Sequence, residues 1–317
     1  MDCALAIDLG GTAIKGGLIT ANGAILARLE APTGTDFRPD YVADRISEVA
    51  ISLRQDAVKK KLVPIGLGLG SPGGIYEDRR TISQSPNFPG WKDIDLVTLI
   101  EKNVELPVCM ENDANAAALG EFWIGQGATE GVSDLVLYTL GTGVGGGIVI
   151  KGKVWHGSFG MAGELGHVCV EPDGRLCGCG SRGCLEQYAS GPGIVKTALE
   201  FAKELGIALS SHKQITPLVV AEAARSRNKA AKKAFDSAGM YLGRGMSAVL
   251  NILNPPLFLV GGGVSLSFDL MEKAVLKEIS ARAFAYPAAK VKVKRAALIN
   301  DAGLLGVAKL AFDLFSK

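Results

Sequence analysis

The Gly-rich segment GELGHVCVEPDGRLCGCGSRGCLEQ, residues 163–187, contains a histidine and three closely spaced cysteines that could bind a metal ion. His167 is followed by Cys177, Cys179 and Cys184. Imidazole nitrogens and thiolates are ligands that tetrahedral Zn²⁺ prefers, and the glycines between the cysteines free the backbone to wrap around an ion. Cys177 and Cys179 also lie too near each other in sequence to form an easy disulfide. Because four protein ligands fill the shell, we expect a structural zinc site with no open position for catalysis.

A glutamate stands just outside each end of this cluster, Glu164 before His167 and Glu186 after Cys184. Four ligands already complete a tetrahedral shell, so neither glutamate is needed in it. A metal-fixed loop would instead hold both carboxylates in place, where they can accept hydrogen bonds from ligand hydroxyls with geometric discrimination. We therefore expect the pair to bind a small polyhydroxylated ligand such as a sugar. The alternative is that both are ordinary surface residues.

Three Gly-rich turns follow apolar strands: DLGGT at 8–12, LGTGVGGG at 140–147 and VGGGVS at 260–265. Glycines at a strand end let backbone N–H groups approach an anion closely, and threonines add hydroxyl donors. One such turn alone is more often a tight hairpin, but three indicate a nucleotide held between two lobes. Neither a Walker P-loop nor a GxGxxG that opens a helix is present. The residues expected at the nucleotide are Gly10, Gly11, Thr12, Gly141, Thr142, Gly143, Gly261, Gly262 and Gly263.

Two aspartates stand where apolar strands end. Asp8 precedes the first Gly turn, where a carboxylate can anchor Mg²⁺ through water, although a turn aspartate is the alternative. Asn112-Asp113 ends another strand and opens the alanine-rich segment DANAAALGEFWIG. A helix start keeps a carboxylate ionised, so Asp113 could accept a proton from a substrate hydroxyl during phosphoryl transfer. Its alternative role is a plain helix N-cap.

Composition predicts a globular protein large enough for two lobes. The chain has 317 residues, of which 48% are hydrophobic and 21% charged, and its net charge of +2 gives no reason to expect nucleic acid. No apolar run suits a membrane span, and the N-terminus does not resemble a secretory signal, so we expect a cytoplasmic location. Cys3, Cys109 and Cys169 are predicted to be ordinary buried thiols.

An internal repeat and the alternation of elements predict an α/β fold. Two segments about 130 residues apart share the same order of apolar strands and Gly turns: ALAIDLGGTAIKGGLITANGAIL and DLVLYTLGTGVGGGIVIKGKVWHG. This internal repeat suggests duplicated lobes that face a cleft. Apolar spacing predicts a strand at 65–70 and helices over 41–60, 192–206 and 217–253, with an ordered loop at 85–91.

Taken together, DLGGT, END, GTGVGGG and GELGH followed by CGCGSRGCLE resemble the ROK family of sugar kinases and related repressors, over essentially the whole chain. The resemblance implies a two-lobed actin-like ATPase (ribonuclease H-like) fold with a central cleft and a structural zinc loop, in a homodimer. It also implies an ATP- and Mg²⁺-dependent kinase with Asp113 as the catalytic base. The sugar contacts that it implies are Gly73, Asn87, Asn112, Glu164, His167 and Glu186.

Within the family, the loop SPNFPGW is similar to that of bacterial glucokinases, which favours glucose as the substrate. N-acetylmannosamine, N-acetylglucosamine, fructose or allose as the substrate, or a sugar sensor without turnover, are the alternatives. The predicted small lobe comprises residues 1–113 with the helix 301–317, and the large lobe residues 114–300. The family's repressors carry an N-terminal helix-turn-helix domain. Because DLGGT already begins at residue 8 in this sequence, we expect no such domain here. Many members carry lysine directly after the DLGGT threonine, whereas this chain has Ala13 and then Lys15, which leaves a phosphate role for Lys15 open.

Overall fold

The computed structural model describes residues 2–316 and has a mixed α/β architecture. Its strands are β1 (Asp2–Leu9), β2 (Ala13–Thr20), β3 (Ile25–Pro32), β4 (Val63–Ser71), β5 (Gly74–Ile75), β6 (Thr81–Gln84), β7 (Lys92–Asp95), β8 (Val108–Asn112), β9 (Leu135–Leu140), β10 (Val144–Ile150), β11 (Lys153–Val154), β12 (Leu257–Gly261) and β13 (Lys292–Arg295). Its helices are α1 (Pro39–Lys59), α2 (Leu96–Val104), α3 (Asp113–Trp123), α4 (Gln126–Glu130), α5 (Glu186–Ala189), α6 (Gly191–Leu205), α7 (Pro217–Arg225), α8 (Lys229–Leu253), α9 (Glu272–Arg282), α10 (Ala285–Lys290) and α11 (Ala302–Phe315).

Two five-stranded sheets follow the same plan. The first has the order β3-β2-β1-β4-β8 and the second the order β11-β10-β9-β12-β13. In each sheet the first strand of a β-hairpin also pairs in parallel with a strand from later in the chain, β4 for β1 and β12 for β9. The repeat predicted from the two Gly-rich hairpins is therefore confirmed in the order of the strands.

The chain divides into two compact units. Unit 1 comprises Met1–Ser133, Gly147–Gly163 and Asn300–Lys317, and unit 2 comprises Asp134–Gly146 and Glu164–Ile299. The predicted lobe boundary at residue 113 places nearly all of α3 in the large lobe, whereas α3 belongs to unit 1 in this division. The physical reason is its contact with α11, where a Cβ on Gly306 would lie 1.7 Å from the Ala116 carbonyl oxygen. Only glycine permits so close a helix–helix approach.

The sheet of unit 1 gathers the ends of three parallel strands at one edge. β1 runs parallel to β4, with Asp8 beside Gly70, and β4 runs parallel to β8, with Ser71 beside Asn112. On one face α1 buries Val42 and Ile46. The carboxyl ends of parallel strands are where ligands bind in α/β sheets. Asp8 and Asn112 are thus placed at the edge of the sheet suited to a site.

The alternating glycines of β4 are explained by α11, which contacts this strand. A Cβ on Gly68 would lie 2.0 Å from the Val307 carbonyl oxygen, and one on Gly66 would lie 2.3 Å from the Phe315 ring. Larger side chains on this face would push the helix away from the sheet. The C-terminal helix therefore completes the core of unit 1.

In unit 2 two Gly turns meet at one edge of the sheet. β9 and β12 are parallel, with Thr139 beside Gly261, so the turns that follow both strands leave from the same edge. Gly262 has a φ of 78°, and a Cβ there would lie 2.4 Å from the Leu140 carbonyl oxygen. A residue with a side chain would be strained at this φ and would also collide with the neighbouring strand.

Several sequence expectations differ from the structure. The segment 217–253 is mostly helical as expected, but it contains two helices, because Asn228 accepts hydrogen bonds from the Ala230 and Ala231 amides and caps the start of α8. The small sheet β5-β6-β7 within 74–95 was not predicted. Cys3 and Cys109 are buried as expected, but the prediction of a buried thiol was wrong for Cys169, which is exposed.

Among residues 2–316, no helix combines the length and apolar character that crossing a membrane requires.

Candidate active site and metal centre

The first Gly turn, residues 10–12, is fixed by a buried threonine from the end of β3. The Thr33 hydroxyl donates to the Gly10 carbonyl at 2.7 Å, and the Thr33 amide donates to the Thr12 carbonyl at 3.0 Å. Gly10 must lack a side chain, since a Cβ there would lie 2.9 Å from the Ala13 carbonyl oxygen. Thr33 carries no motif that sequence reasoning could have found, because its role depends on the pairing of β2 with β3.

Asp8 lies beside this turn in a poorly solvated position. Burial raises the pKa of the Asp8 carboxyl above its ordinary value, and the charge of Lys15 partly opposes that shift. Lys15 is the cross-strand partner of Asp8 in the β1–β2 ladder. Lys15, whose role the sequence leaves open, is therefore a neighbouring positive charge for Asp8, and the partly buried carboxylate is suited to a bound cation.

We predict that Asp8→Asn makes the ligand-free protein more stable while it impairs Mg²⁺-dependent activity. With its pKa raised, the folded state binds more protons than the unfolded chain in the acid range, so the free energy of unfolding falls as pH rises through that window. At neutral pH the ionised carboxylate therefore costs stability, which the amide avoids. Thermal unfolding should show a higher Tm, by about 2–4 °C for each kcal/mol recovered.

Asp78→Asn is the matched control, with the opposite expected sign. Burial opposes ionisation of Asp78, but hydrogen bonds from the Thr81 hydroxyl at 2.6 Å and from backbone amides hold its pKa below the ordinary value. Its carboxylate contributes stability that is present at neutral pH and is lost as pH falls through the lowered pKa, so the amide should lower the Tm. A lower Tm for Asp8→Asn as well would contradict the account of Asp8.

Asn112 and Asp113 have different positions and roles at the start of α3. The Asn112 side-chain oxygen accepts from the Ala114 and Asn115 amides at 3.0 and 3.2 Å, so Asn112 is the N-cap. Asp113 is the first helical residue, is exposed, and accepts from the Ala114 amide at 2.8 Å. The alternative of an N-cap role for Asp113 is therefore excluded. The helix start stabilises its negative charge.

Two predicted sugar contacts lie near this helix start and the first turn. The Asn112 amide nitrogen donates to the Gly73 carbonyl at 3.1 Å. Gly73 has a φ of 111°, and a Cβ there would lie 2.3 Å from the Gln84 carbonyl oxygen. The Asn87 side chain faces the first turn, with its Cβ 3.4 Å from the position of a Cβ on Gly11. Unit 1 thus brings these residues to the edge of the sheet that carries Asp8.

The loop SPNFPGW that carries Asn87 is anchored by aromatic packing. Phe88 and Trp91 are buried and stack with their ring centroids 4.4 Å apart, and the Trp91 indole N–H donates to the Phe37 carbonyl at 2.6 Å. These contacts explain why a loop rich in proline and glycine is ordered.

A buried charge network that the sequence did not reveal supports the end of β8. Glu111 is fully buried, with Arg79 at 2.5 Å from one carboxylate oxygen and His156 at 2.7 Å from the other. Burial alone would raise the pKa of Glu111, but the hydrogen bond with His156 and the charge of Arg79 hold it below its ordinary value. The ionised Glu111 in turn accepts from the Asn112 amide at 2.9 Å and the Asn115 side chain at 3.2 Å. The network fixes the backbone directly before Asp113.

In unit 2 the structure brings together all four predicted metal ligands. The ligand atoms of His167, Cys177, Cys179 and Cys184 lie within 4.8 Å of one another. The sulfurs of Cys179 and Cys184 are 3.7 Å apart, and the Cys177 sulfur is 3.7 Å from His167 Nδ1. A tetrahedral zinc with Zn–S bonds of about 2.3 Å and a Zn–N bond of about 2.0 Å requires separations of roughly 3.5–3.8 Å. The cluster therefore fits zinc in both donor type and spacing.

Glu186 links the metal cluster to the second Gly turn. One of its carboxylate oxygens accepts from the Val144 amide at 3.1 Å, and the other is 3.8 Å from the Cys177 sulfur. A Cβ on Gly143 would lie 2.5 Å from the Glu186 carboxylate, so a side chain there would displace that carboxylate. On the other side of the cluster, the exposed Glu164 is 4.0 Å from His167 Nε2, the ring nitrogen opposite the one that faces the cluster.

The second Gly turn also lines a cavity of about 940 Å³. Gly141, Thr142, Gly263 and Val264 form one wall, and α6, α7 and the segment 214–216 form the rest. The Gly191 amide at the start of α6 donates to the Gly141 carbonyl at 2.8 Å and ties that helix to the turn. The apolar side chains of the wall are Val195, Leu199, Ile215, Pro217, Leu218 and Val264. A volume of this size with apolar walls and a polar turn at one end suits a nucleotide.

Known proteins are similar to this chain over nearly its whole length. A glucokinase of Halalkalibacterium halodurans is 39% identical over 306 residues, which cover 95% of this chain and 92% of that protein. A crystal structure of a ROK family glucokinase from Streptomyces griseus, in complex with glucose and AMPPNP, is 35% identical, with a TM-score of 0.78 and coverage of 98% and 99%. A xylose repressor of Caldicellulosiruptor bescii is 31% identical over 257 residues, which cover 80% of this chain and 64% of the repressor.

The structural similarity confirms the predicted α/β fold of the actin-like ATPase type. The family model described as ROK family matches residues 4–313, which is almost the entire chain. The motifs that carry the resemblance, from the first Gly turn to the His/Cys cluster, all lie inside that match. The chain belongs to the ROK family.

Proposed function

We propose that the protein is an ATP-dependent sugar kinase that converts glucose to glucose 6-phosphate. The curated relatives that support this proposal are glucokinases of 33–39% identity that match almost all of the chain. A structural relative was crystallised with glucose and the nucleotide AMPPNP, which supports ATP as the donor and glucose as the acceptor.

The single observation that carries the proposal is the position of the turn Gly141–Gly143 in unit 2. Gly141 and Thr142 line the nucleotide-sized cavity, while Gly143 is packed against the Glu186 carboxylate. One short backbone segment therefore joins a cavity suited to adenosine to a carboxylate suited to a hydroxyl. A phosphate chain held by the turn would lie between the two, which is the arrangement that phosphoryl transfer to a sugar requires.

The residues of unit 1 supply the charge and the base in this proposal. Asp8 holds Mg²⁺ through water, and the bound ion neutralises phosphate charge. The turn Gly10–Thr12, fixed by Thr33, offers backbone amides and a hydroxyl to the phosphates. Asp113 accepts the proton of the reacting hydroxyl as the phosphoryl group transfers. Its place at a helix start keeps it ionised and ready to accept that proton.

Hydroxyl-binding groups recognise the sugar. The segment that carries the metal ligands positions some of these groups, and loops of unit 1 position the others. We assign this role to Gly73, Asn87, Asn112, Glu164, His167 and Glu186. A structural zinc held by His167, Cys177, Cys179 and Cys184 fixes the position of Glu186 from one side, and the Val144 amide fixes it from the other. Gly261–Gly263 lie near the adenosine in this assignment, beside the Leu140 carbonyl.

Release of ADP from Mg-ATP across a panel of sugars tests the substrate. We expect glucose to have the highest kcat/KM, ahead of fructose, allose, N-acetylglucosamine and N-acetylmannosamine. A site that hydrogen-bonds a substrate hydroxyl lowers kcat/KM for an analogue without that hydroxyl by about 10,000-fold or more. The matched control is 6-deoxyglucose, which keeps most binding groups but lacks the acceptor hydroxyl. A higher kcat/KM for an N-acetylhexosamine would replace glucose as the substrate while retaining the kinase.

The similarity to xylose repressors supports a second candidate function, a sugar-sensing regulator that binds sugar without turnover. The same experiment separates the two functions. Glucose binding measured by calorimetry, together with ADP release no faster than with 6-deoxyglucose, would favour the sensor.

The family resemblance implies a homodimer, while the N-terminus, charge pattern and apolar runs of the sequence predict a cytoplasmic protein with neither nucleic acid nor membrane as a partner. We propose the same for this protein. Sedimentation velocity of the purified protein at micromolar concentration tests the dimer.

A further inference from the structure

Cys169 is an exposed thiol that the metal cluster does not use, although it stands directly opposite one of the metal ligands. Cys169 and Cys184 form an antiparallel β-bridge. The hydrogen bonds on either side of this pair run from the Val170 amide to the Gly183 carbonyl at 2.8 Å and from the Leu185 amide to the Val168 carbonyl at 3.0 Å. This pattern makes Cys169 and Cys184 a non-hydrogen-bonded pair, the type in which opposite side chains are closest.

The geometry of such a pair matches that of a disulfide. Opposite residues at a non-hydrogen-bonded position have Cα atoms about 4.5 Å apart, and disulfides span Cα separations of about 4.4–6.8 Å. Directly opposite residues of an antiparallel pair project their side chains to the same face, and Cys184 belongs to the metal cluster. The thiol of Cys169 is therefore directed to the side of the strand on which the metal cluster lies.

We propose that Cys169 and Cys184 are a peroxide-sensitive thiol pair whose disulfide removes one ligand from the metal cluster. In the first step the Cys169 sulfur attacks one oxygen of a hydroperoxide and the O–O bond breaks. With hydrogen peroxide, the products are a sulfenic acid on Cys169 and water. In the second step the Cys184 thiolate, which would then no longer be available as a metal ligand, attacks the sulfenic sulfur, the S–S bond forms, and hydroxide departs and takes up a proton. The two sulfurs lose two electrons, and the peroxide gains them.

The consequences follow from the contacts of the cluster. Cys184 lies 3.7 Å from the Cys179 sulfur, so its loss leaves three ligands and weakens the hold on zinc. Glu186 is two residues beyond Cys184 and lies 3.8 Å from the Cys177 sulfur. Release of the metal therefore loosens the carboxylate that we assign to the sugar. This step goes beyond the proposed kinase activity, since it concerns metal retention and thiol chemistry.

The test adds hydrogen peroxide to the zinc-loaded protein, whose zinc content is measured beforehand, in the presence of a chromogenic zinc chelator. We expect zinc release together with a peptide cross-link between Cys169 and Cys184, identified by mass spectrometry after the remaining thiols are alkylated. Addition of dithiothreitol and zinc should remove the cross-link and restore the metal. Each of these readouts is independent of catalysis.

Cys169→Ser is the matched variant, because it keeps all four ligands and changes only one exposed sulfur atom to oxygen. It should bind zinc at the same stoichiometry and release it at least about tenfold more slowly under peroxide. Equal release rates in the variant and the unmodified protein would overturn the proposal, as would a cross-link that joins Cys179 to Cys184. Absence of zinc before peroxide is added would overturn both the metal site and the release step, whatever the kinase assay shows.

Discussion

Replacing Asp113 by asparagine is expected to lower kcat by about 100- to 10,000-fold, the range that general acid–base catalysis contributes. The amide cannot take up the proton of the reacting hydroxyl. The KM for glucose should change little, because the base acts in the transition state, and kcat and kcat/KM should fall together. Folding should be preserved, since Asn112 rather than Asp113 caps α3. The measurement is steady-state ADP release with glucose and Mg-ATP.

Asp40→Asn is the matched control for this variant. Asp40 is an exposed aspartate in the first turn of α1, so its replacement removes a carboxylate from a helix start in the same way. It should leave kcat unchanged, and both variants should show similarly small changes in Tm. Near-normal turnover in Asp113→Asn would remove Asp113 from the role of base.

Cys179→Ser should abolish stoichiometric zinc and expose the loop around 171–183 to proteolysis. Structural zinc in small domains contributes on the order of 10 kcal/mol of apparent binding free energy, so loss of one ligand is severe at this site. The core of unit 2 contains β9, β12 and α8, whose buried apolar side chains do not depend on the metal. We therefore expect retained secondary structure by circular dichroism, a lower Tm and a raised KM for glucose.

Cys169→Ser serves as the control here, since Cys169 lies in the same segment outside the ligand set. It should keep zinc and resist proteolysis like the unmodified protein. Atomic absorption measures the zinc content of both purified variants and so shows whether Cys179 is a ligand. One equivalent of zinc in Cys179→Ser would contradict the four-ligand site.

The sequence predicted those parts of the site in which chemistry is carried by neighbouring residues. His167, Cys177, Cys179 and Cys184 lie within a short segment, and the structure brings their ligand atoms together. The Gly turns could also be located from the sequence, because each is a run of glycines directly after an apolar strand. The hairpin that recurs in both five-stranded sheets was likewise visible in the spacing of two similar sequence segments, whereas the order of the remaining strands was not.

What the sequence did not predict depends on contacts between distant residues. Glu111 looks like a strand residue until the fold places Arg79 and His156 on its two oxygens. Thr33 supports the first Gly turn only because β3 runs alongside β2. Cys169 was expected to be buried on the general tendency of cysteines, whereas it is exposed and forms a β-bridge with Cys184. No local pattern encodes these pairings.

The assignment of α3 to unit 1 has the same cause. An alanine-rich helix after Asn112-Asp113 fits either side of a boundary, and Gly306, near the far end of the chain, decides where it packs. The close approach of two helices at a glycine is visible only once both helices are positioned.

The most direct measurement of the central claim is the phosphorus NMR spectrum of the protein incubated with glucose, ATP and Mg²⁺. We expect glucose 6-phosphate and ADP to form in equal amounts, and both to form at least about 100-fold more slowly when Asp113→Asn replaces the unmodified protein. ADP without a phosphorylated sugar, or bound glucose with no reaction at all, would contradict it.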